Sequence, residues 1–435
     1  MYMFFKISFF FMLIIKNNFC FLHTNKFINN KIQEDKTEVK LKNEIENIAI
    51  NEIKNIAINE TKREFYHFGL FPRLEYPNDK GQLTWYPIGF TSDFSKNPTK
   101  ITIRDKNYVV WRDNNNVYYG VRDICSHQGS SFLLGNTCKN TISCPYHGYI
   151  FDGSNGELVQ IPKLPHIESQ SHNVDCFKVV EKGDMVYFNT VPIINEEMKS
   201  QIDETCIFVE PEFYDKNQRV VFLAEDFEHY AKFVSVNSLD ICHIGFVHTF
   251  GNRKSPNPLH NSKVLKMNDN DFHYKIVYEY VAGENSLVNK VYKFDNITVE
   301  NEYVLPHSTV ARVKFGSMTS TIITHALPIS KFKTKLFVKA YRSYWSHYHE
   351  KNTIYPFHLY ESIINYLGDK VTYNTMFNTL KQDKEIVDNI DKTSYEGMHG
   401  KFSIVYDMFS NHYKNNYKMF YENLPLEKVE TNFNF

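Results

Sequence analysis

The sequence predicts an α+β protein with two domains that follow an amino-terminal extension. Short β patterns separated by turn residues run from about residue 80 to 192, a second series of strand patterns lies within residues 193–425, and helical patterns flank that second series. Strands that follow one another, with helices at both ends, predict an antiparallel sheet covered by helices on one side. The length of 435 residues suits two domains of roughly 100–200 residues each plus the extension.

The first domain, residues 80–192, is expected to be a small antiparallel β domain. Ile101–Arg104 and Tyr108–Trp111 indicate strands on either side of a turn at Lys106-Asn107, and Val117–Val121 follows an Asn-rich turn. These strands lead into the first of two Cys/His motifs. We therefore expect both motifs on the tips of hairpins.

The second domain, residues 193–425, is expected to combine one sheet with helices. Helical periodicity covers Glu228–His248 and Pro356–Asp391. Between them, the strand patterns are Tyr274–Tyr280, Lys290–Phe294, Ile297–Leu305, Thr309–Phe315, Thr321–Leu327 and Lys335–Tyr344. This order predicts a mixed domain in which helices cover an antiparallel sheet.

The amino-terminal residues are expected to lie outside both domains. Residues 1–22 contain the apolar run Ile7–Ile15 between Lys6 and Lys16. A bilayer span takes about 20 residues, so this run is too short to cross a membrane. Its length and flanking charges are typical of a targeting leader. An apolar start that packs against the domain is the alternative. Residues 23–70 are charged and low in complexity, which predicts a helical or disordered spacer.

The composition argues against several classes of protein. The formal net charge is −1 and no basic patch is interleaved with aromatic residues, so nucleic-acid binding is not expected. The seven cysteines are odd in number and irregularly spaced, which argues against a secreted fold built on disulfides. The chain has no Gly-rich dinucleotide fingerprint, so a reductase would have to be a separate protein.

The most specific pattern pairs Cys with His twice. Cys125-x-His127 is followed, after 16 intervening residues, by Cys144-x-x-His147. A Rieske [2Fe–2S] cluster takes two thiolates on one iron and two imidazoles on the other. A zinc finger would instead pair Cys with Cys and His with His. The mixed pairs therefore predict a Rieske cluster held by these four side chains, with a coincidental scatter of Cys and His as the alternative.

A second motif, Asn237–His248, contains His243 and His248. Two histidines and one carboxylate on one face of an iron leave open positions, which suits Fe(II) that handles O2. The two histidines are five residues apart, so on a regular helix their side chains point in different directions. Both can reach one metal ion only if the helix bulges or ends between them. Gly245 lies between them and makes such a bend easier. By themselves they would be ordinary, partly buried histidines; the upstream cluster motif favours a mononuclear iron.

Two residues before the histidines are expected to assist them. Asp240 lies three residues before His243, and its carboxylate is expected to accept the other imidazole N–H, which fixes the tautomer. Asn237 lies one turn earlier on the same helix face. The alternative is a helix carboxylate that merely orients His243.

The third iron ligand is expected from the helical stretch Gln382–Ile390. Ile386 and Ile390 mark its buried face, and Asp383, three residues before Ile386, lies near that face. Asp383 is the candidate ligand and Asp388 the reserve. A charged surface helix is the alternative interpretation.

Together these motifs resemble the oxygenase subunit of the Rieske non-heme iron oxygenases, from about Trp85 to Asp391. Trp85-Tyr86-Pro87 and Val110–Asp113 look most like the branch that includes pheophorbide a oxygenase and chlorophyllide a oxygenase. The resemblance implies a homotrimer in which Asp240 links His243 to His147 of the partner subunit.

The activity that the resemblance implies is oxygenation, monooxygenation rather than dioxygenation. Electrons from a ferredoxin or reductase, together with O2, would hydroxylate, demethylate or ring-open a bulky apolar or aromatic substrate such as a chlorophyll-type tetrapyrrole. The leader and the resemblance imply a plastid location, and a membrane-associated or cytoplasmic location is the alternative; no transmembrane span is expected. Ser126 and Gln128 replace the Pro and Arg common in the first loop, and no cysteine follows Cys242, which argues against pheophorbide specificity.

Other classes of function stay open. A Rieske electron-transfer protein with a non-catalytic second domain would have no use for the set His243, His248 and Asp383. A zinc-dependent hydrolase would be separated by metal analysis. Within the oxygenase class, a sterol or an aromatic acid is the alternative substrate.

Overall fold

The computed structural model describes residues 85–164, 172–193, 199–200, 202–260, 262–267, 272–346, 357–392 and 404–422. All of them belong to one compact unit, Arg73–Phe435. The leader predicted at residues 1–22 and the spacer predicted at residues 23–70 lie outside the described residues.

The first domain contains two antiparallel sheets. Its strands are β1 (Trp85–Phe90), β2 (Thr99–Ile103), β3 (Lys106–Arg112), β4 (Tyr118–Arg122), β5 (Thr137–Cys138), β6 (Thr141–Ser143), β7 (Ile150–Asp152), β8 (Leu158–Gln160), β9 (Cys176–Lys182) and β10 (Met185–Pro192). The larger sheet has the order β1-β10-β9-β4-β3-β2 and the smaller β5-β6-β7-β8. Trp111 in β3 is fully buried, and its Nε1 donates to the carbonyl of Lys139 at 3.0 Å, which ties the two sheets together.

The turn between β2 and β3 differs from the prediction. Lys106 and Asn107 are not the turn; they begin β3, and the chain reverses at Arg104-Asp105. Both turn residues have positive φ, 47° and 61°. Such left-handed pairs match the twist of the flanking strands, and Asp is among the residues that tolerate this conformation.

The second domain is built on one seven-stranded antiparallel sheet. Its strands are β11 (Arg219–Phe227), β12 (Leu265–Lys266), β13 (His273–Val281), β14 (Asn296–Val304), β15 (Ser308–Phe315), β16 (Met318–Ser330) and β17 (Lys333–Arg342). Their order is β11-β17-β16-β15-β14-β13-β12. Strict alternation of buried and half-buried residues along β13 shows the period of two that a half-covered sheet requires. The α+β class is confirmed, and five of the six predicted strands correspond to β13–β17.

Helices cover one side of this sheet. They are α1 (Ala231–Leu239), α2 (Ile244–Val247), α3 (Leu287–Tyr292), α4 (Phe357–Val387) and α5 (Met408–Glu422). None of these described helices is long and apolar enough to cross a membrane.

Two local predictions in this domain are wrong. Lys290–Phe294 is not a strand: helix α3 ends at Tyr292, and its amino end is capped by Ser286, whose hydroxyl accepts from the Asn289 amide. The helix predicted over Glu228–His248 is interrupted, because α1 ends at Leu239 and α2 begins at Ile244.

The two faces of the sheet contact different parts of the chain. On β17, Leu336 and Val338 pack with Leu380 of α4, whereas Phe337 joins the core of the first domain. Lys339, on the same face as Phe337, is buried: its Nζ donates to the carbonyl of Gly183 at 2.7 Å and pairs with Glu210. The sheet therefore holds the first domain on one side and leaves the other side for the helices and a site.

Candidate metal centres

The first centre lies on two loops of the first domain that have the same backbone geometry. The Gly129 amide donates to the carbonyl of Cys125 at 2.8 Å, and the Gly148 amide donates to the carbonyl of Cys144 at 2.9 Å. Both glycines have positive φ, 72° and 75°, which the turn after each cysteine requires. The hairpin-tip prediction is confirmed for the second motif, which lies between the paired strands β6 and β7, and is wrong for the first, which lies between β4 and β5, strands of different sheets.

The four side chains of the first motif meet at one place. Cys125 and Cys144 are buried, and the two thiols are in hydrogen-bond contact. His127 and His147 are exposed, and their Nδ1 atoms lie 3.2 Å apart. This is close to the separation of about 3 Å expected for two nitrogen ligands at about 2.1 Å from one metal ion. The set fits a Rieske cluster, with buried thiolates inside and imidazoles at the surface.

The loop also provides donors for a cluster. Burial raises the pKa of the Cys125 thiol, whereas the backbone amides of His127 and Gln128, which donate to its sulfur, act in the opposite direction. Amide donors stabilise negative charge on sulfur and tune a bound cluster. Tyr149 stacks on His127 with ring centroids 4.6 Å apart, which fixes the ring plane of that imidazole.

The second centre is formed where helix α1 breaks. His243 caps the amino end of the short helix α2 and His248 its carboxyl end, so the two histidines lie on either side of a single turn. The helix end expected between the two histidines is present at Val247, where α2 stops. Gly245 has a different role: it lies inside α2, and a Cβ there would come within 2.8 Å of Pro256. The glycine permits close packing of α2 and does not supply the bend.

Helix α4 brings Asp383 to the two histidines. Its Oδ1 lies 3.5 Å from Nε2 of His243 and 3.4 Å from Nε2 of His248. One ligand atom from each of the three residues can be chosen so that all lie within 4.8 Å of one another. Ligand atoms about 2.1 Å from a metal, at roughly right angles or slightly wider, are about 3–3.4 Å apart. Asp383 Oδ1 is buried and has no hydrogen-bond partner among the described residues, as expected of an atom reserved for an ion.

The opposite nitrogen of each imidazole is held by an oxygen. His243 Nδ1 lies 2.8 Å from the backbone carbonyl of Asp240, and His248 Nδ1 lies 3.2 Å from Oε1 of Gln382. Both acceptors favour a proton on Nδ1, which leaves each Nε2 lone pair facing Asp383. The sequence reasoning missed Gln382, although it directly precedes the predicted ligand.

The predicted contact of the Asp240 carboxylate is wrong within this chain. The carboxylate Oδ1 accepts from the backbone amide of Cys242 at 2.8 Å, and the carbonyl of the same residue holds His243 instead. The reason is that Asp240 has left the helix, with an extended ψ of 124°, so its side chain no longer shares a helix face with His243. Asn237 is in α1 and lines the adjacent cavity.

Asp388, the reserve ligand, is placed elsewhere. Its Oδ1 accepts from the Glu228 amide at 2.7 Å, and its Oδ2 lies 3.2 Å from Nζ of Lys384. The bond to Glu228, the residue directly after β11, fastens the end of α4 to the sheet, whereas the Lys384 contact lies within the helical segment. The geometry therefore favours Asp383 over Asp388 as the third ligand.

The two histidines have different electrostatic surroundings. For His243 burial lowers the pKa, but the Asp383 carboxylate beside it outweighs burial, so the pKa lies above its usual value. For His248 burial dominates and the pKa lies below its usual value. A neutral His248 is already in the state that binds a metal ion.

A cavity of about 430 Å³ lies over this centre. It extends from the two histidines and Asp383 along the covered face of the sheet, between that sheet, α1 and α4. Ligand cavities in proteins have volumes of about 300–1,000 Å³. The arrangement can hold a bulky small molecule beside a metal ion.

The chain resembles proteins of known function in two ways. Residues 84–178 match the family model described as the Rieske [2Fe-2S] domain. A cholesterol 7-desaturase of Hemicentrotus pulcherrimus is 23% identical over 184 residues, 40% of this chain and 36% of the relative. The dicamba O-demethylase oxygenase component of Stenotrophomonas maltophilia is 31% identical over 103 residues, 24% of this chain and 30% of the relative. The chain thus matches about a third of the length of these two relatives.

The solved structures extend the likeness beyond the first domain. Dicamba monooxygenase bound to dicamba superposes with a TM-score of 0.60 at 17% identity, over 79% of this chain and 98% of that one. Pseudomonas putida CBB5 NdmA, bound to theobromine, gives a TM-score of 0.57 at 17% identity, over 78% and 91%. At this identity the likeness establishes the fold of both domains.

Proposed function

Because this chain joins a Rieske [2Fe–2S] domain to the fold of the Rieske non-heme iron oxygenases, we propose that it is the oxygenase component of such a system. In this proposal Cys125, His127, Cys144 and His147 hold the cluster. His243, His248 and Asp383 hold the mononuclear iron.

One observation carries the proposal. Asp383 Oδ1 is buried without a hydrogen-bond partner among the described residues, and it faces two imidazole Nε2 atoms at 3.4 and 3.5 Å. A buried carboxylate oxygen without a hydrogen-bond partner is costly, and an ion bound between it and the two imidazoles would remove that cost. A pure electron carrier would gain nothing from such a site, which supports an oxygenase over the electron-transfer alternative.

When bound, the cluster supplies single electrons, and the mononuclear iron supplies positions at which O2 is activated. The protein keeps the iron ligands in their binding state: the Asp240 carbonyl and the Gln382 amide oxygen each hold an Nδ1 proton. The surrounding sheet and helices would position a substrate in the cavity beside the iron.

The proposal also covers the partners of the protein, its substrate and its location in the cell. We include a ferredoxin-like electron donor, monooxygenation of a bulky apolar or aromatic substrate, and a homotrimer. Plant relatives named TIC 55 and chlorophyllide a oxygenase support a plastid location. Their matches cover 101 and 96 residues, about the length of the Rieske domain alone, so they support that domain more than a tetrapyrrole substrate.

Metal analysis of matched variants tests the proposal. The purified chain is expected to contain three irons and two sulfides, and to show a Rieske signal in low-temperature EPR after reduction with dithionite. Asp383→Ala should lose one iron and keep the sulfides and the EPR signal. Asp388→Asn is the control, since it keeps an acceptor for Glu228 and should keep three irons. Two irons in the unaltered chain, or an unchanged iron content in Asp383→Ala, would refute the mononuclear site.

A further inference from the structure

Apart from an ion held at the second centre itself, the described lining of the cavity over that centre offers no cationic Lys or Arg side chain to a ligand. None of the described residues that line the cavity is Lys, Arg or Glu, and the carboxylate among these residues belongs to Asp383. Arg312 lies on the sheet next to the lining residues Ala311 and Val313, but it pairs with Glu212 and Glu302. Away from that ion, a carboxylate or phosphate in the cavity would lose its hydration and meet no cationic side chain.

Several polar side chains that line the cavity form hydrogen bonds with other groups of the protein. The hydroxyls of Thr309 and Thr324 bond each other at 2.6 Å, and those of Thr372 and Thr379 donate to helix carbonyls. The same holds for side chains near the rim and beside the metal site, namely Ser238, Asn252, Asn289 and Gln382. Residues whose polar groups are already bonded present mainly their carbon atoms to a ligand.

Tyr280 is different from these residues. It is 9% exposed and lines the cavity, and its hydroxyl is buried without a hydrogen-bond partner among the described residues. Burial raises the pKa of this phenol well above its usual value, so the hydroxyl keeps its proton and can donate. A buried hydroxyl without an acceptor is unfavourable, and a ligand oxygen would relieve that cost.

We propose that the cavity binds an uncharged, largely apolar molecule that carries a hydroxyl or carbonyl oxygen, and that the Tyr280 hydroxyl donates a hydrogen bond to that oxygen. This inference rests on the proposed oxygenase function and names its substrate class. It excludes aromatic acids, which were one of the substrate alternatives. It makes Tyr280 a residue that determines specificity and leaves metal binding to other side chains.

Equilibrium dialysis of the iron-loaded full chain, with probes that differ at one group, tests this. Cholesterol, cholestane and cholesterol sulfate share a ring system and differ at one position. At that position cholesterol carries a hydroxyl group, cholestane carries no oxygen, and cholesterol sulfate carries a charged group. Dicamba and its methyl ester form a second pair, charged and neutral. Each neutral, oxygen-bearing probe that binds is expected to bind at least about tenfold more tightly than its charged partner, since no Lys or Arg of the described lining offsets the desolvation of the charge away from the iron.

Tyr280→Phe isolates the hydroxyl. It should weaken cholesterol binding by about 2- to 12-fold, the range for loss of one hydrogen bond, and leave cholestane binding unchanged. Tyr278→Phe is the matched control, because Tyr278 is buried on the same strand face but does not line the cavity. Equal or tighter binding of the charged probes, no effect of Tyr280→Phe, or no binding of either neutral scaffold would overturn the inference.

Iron and sulfide contents measured on the same samples separate the two proposals. Tyr280→Phe should keep three irons. If the unaltered chain lacks the third iron, the oxygenase proposal fails. If all three irons are present and the charged probes are preferred, only the substrate inference fails.

Discussion

Nδ1 of His248 lies 3.2 Å from Oε1 of Gln382, the residue that directly precedes Asp383 on α4. One turn of this helix therefore supplies both a carboxylate to the metal site and the acceptor that orients an imidazole across it. The Asp240 carbonyl does the same for His243 from the other end of the site. The position of α4 thus sets the carboxylate ligand and the tautomer of His248 together.

The Gln382 contact predicts a loss of iron affinity without loss of the cluster. Gln382→Ala should weaken binding of the mononuclear iron by about 10- to 100-fold, the usual effect of removing an outer-shell acceptor from a ligating histidine. Competition with a graded series of chelators measures this directly. Gln382→Glu keeps an acceptor at the same distance and should bind iron at least as well as the unaltered chain. Equal affinity in Gln382→Ala would show that the contact does not orient His248.

Asp240→Asn separates the charge of this residue from its hydrogen bonds. The Asn side chain can still accept from the Cys242 amide, and the carbonyl that holds His243 is unchanged, so both metals should be retained. If the carboxylate also links the two centres across a subunit interface, reoxidation of the reduced cluster by substrate and O2 should slow severely. Single-turnover stopped-flow spectroscopy measures that rate. A rate close to that of the unaltered protein would leave Asp240 with a local structural role.

The cluster assignment predicts different outcomes for two cysteines of the same domain. Cys144→Ser should abolish the visible spectrum of the cluster and its EPR signal, because a hydroxyl does not replace a thiolate ligand. Cys138→Ser should keep both, since Cys138 is exposed and lies between the two motifs. A full cluster spectrum in Cys144→Ser would disprove the ligand set.

Two histidines buried between the sheet and the first domain are expected to make the folded protein less stable at mildly acidic pH. Burial, followed by the Arg104 charge, lowers the pKa of His307 to about 3, and burial with the Lys339 charge lowers that of His325 well below its usual value. Below about pH 6.5 the unfolded chain binds protons on both residues and the native chain does not. The free energy of unfolding should therefore fall by about 1.4 kcal/mol per pH unit for each histidine.

The variant His307→Phe tests the size of this effect. It keeps an aromatic ring against Tyr86, whose ring centroid lies 4.8 Å from that of His307, and removes one titrating group. Chemical unfolding at pH 7.5 and 5.5 should show a smaller difference between the two pH values in the variant, by about 1.4 kcal/mol. An unchanged difference would mean that His307 takes up its proton in the native state.

The ligand types could be predicted from the sequence because they are close together in it. Cys125 with His127, and Cys144 with His147, fall within single loops, so spacing alone indicates the donor set. Helical periodicity predicted Asp383 from a partly wrong face, because Ile386 is exposed and the buried residue is Val387, one turn after Asp383. Its distances of 3.4 and 3.5 Å to the histidines needed the tertiary structure.

The wrong predictions have local physical causes. Lys290–Phe294 has a β-like composition, but the Ser286 cap and the bonds of Asn289 to Gly283 and Phe294 favour a short helix. The carboxylate of Asp240 was assigned on the assumption of a continuous helix, which ends one residue before it. Both errors come from side-chain-to-backbone bonds, which periodicity does not detect.

The alternation of residues along β17 has a consequence for how this protein can change. Leu336 and Val338 line the cavity, whereas Phe337 and Lys339 face the first domain, so neighbouring positions of one strand affect different properties. Substitutions at even positions can alter which molecule is accepted while the seam between the domains stays intact. Substitutions at odd positions can weaken that seam without altering selectivity. A lineage could therefore change the molecule accepted by the cavity through single-residue steps on this strand while the junction between its two domains is conserved.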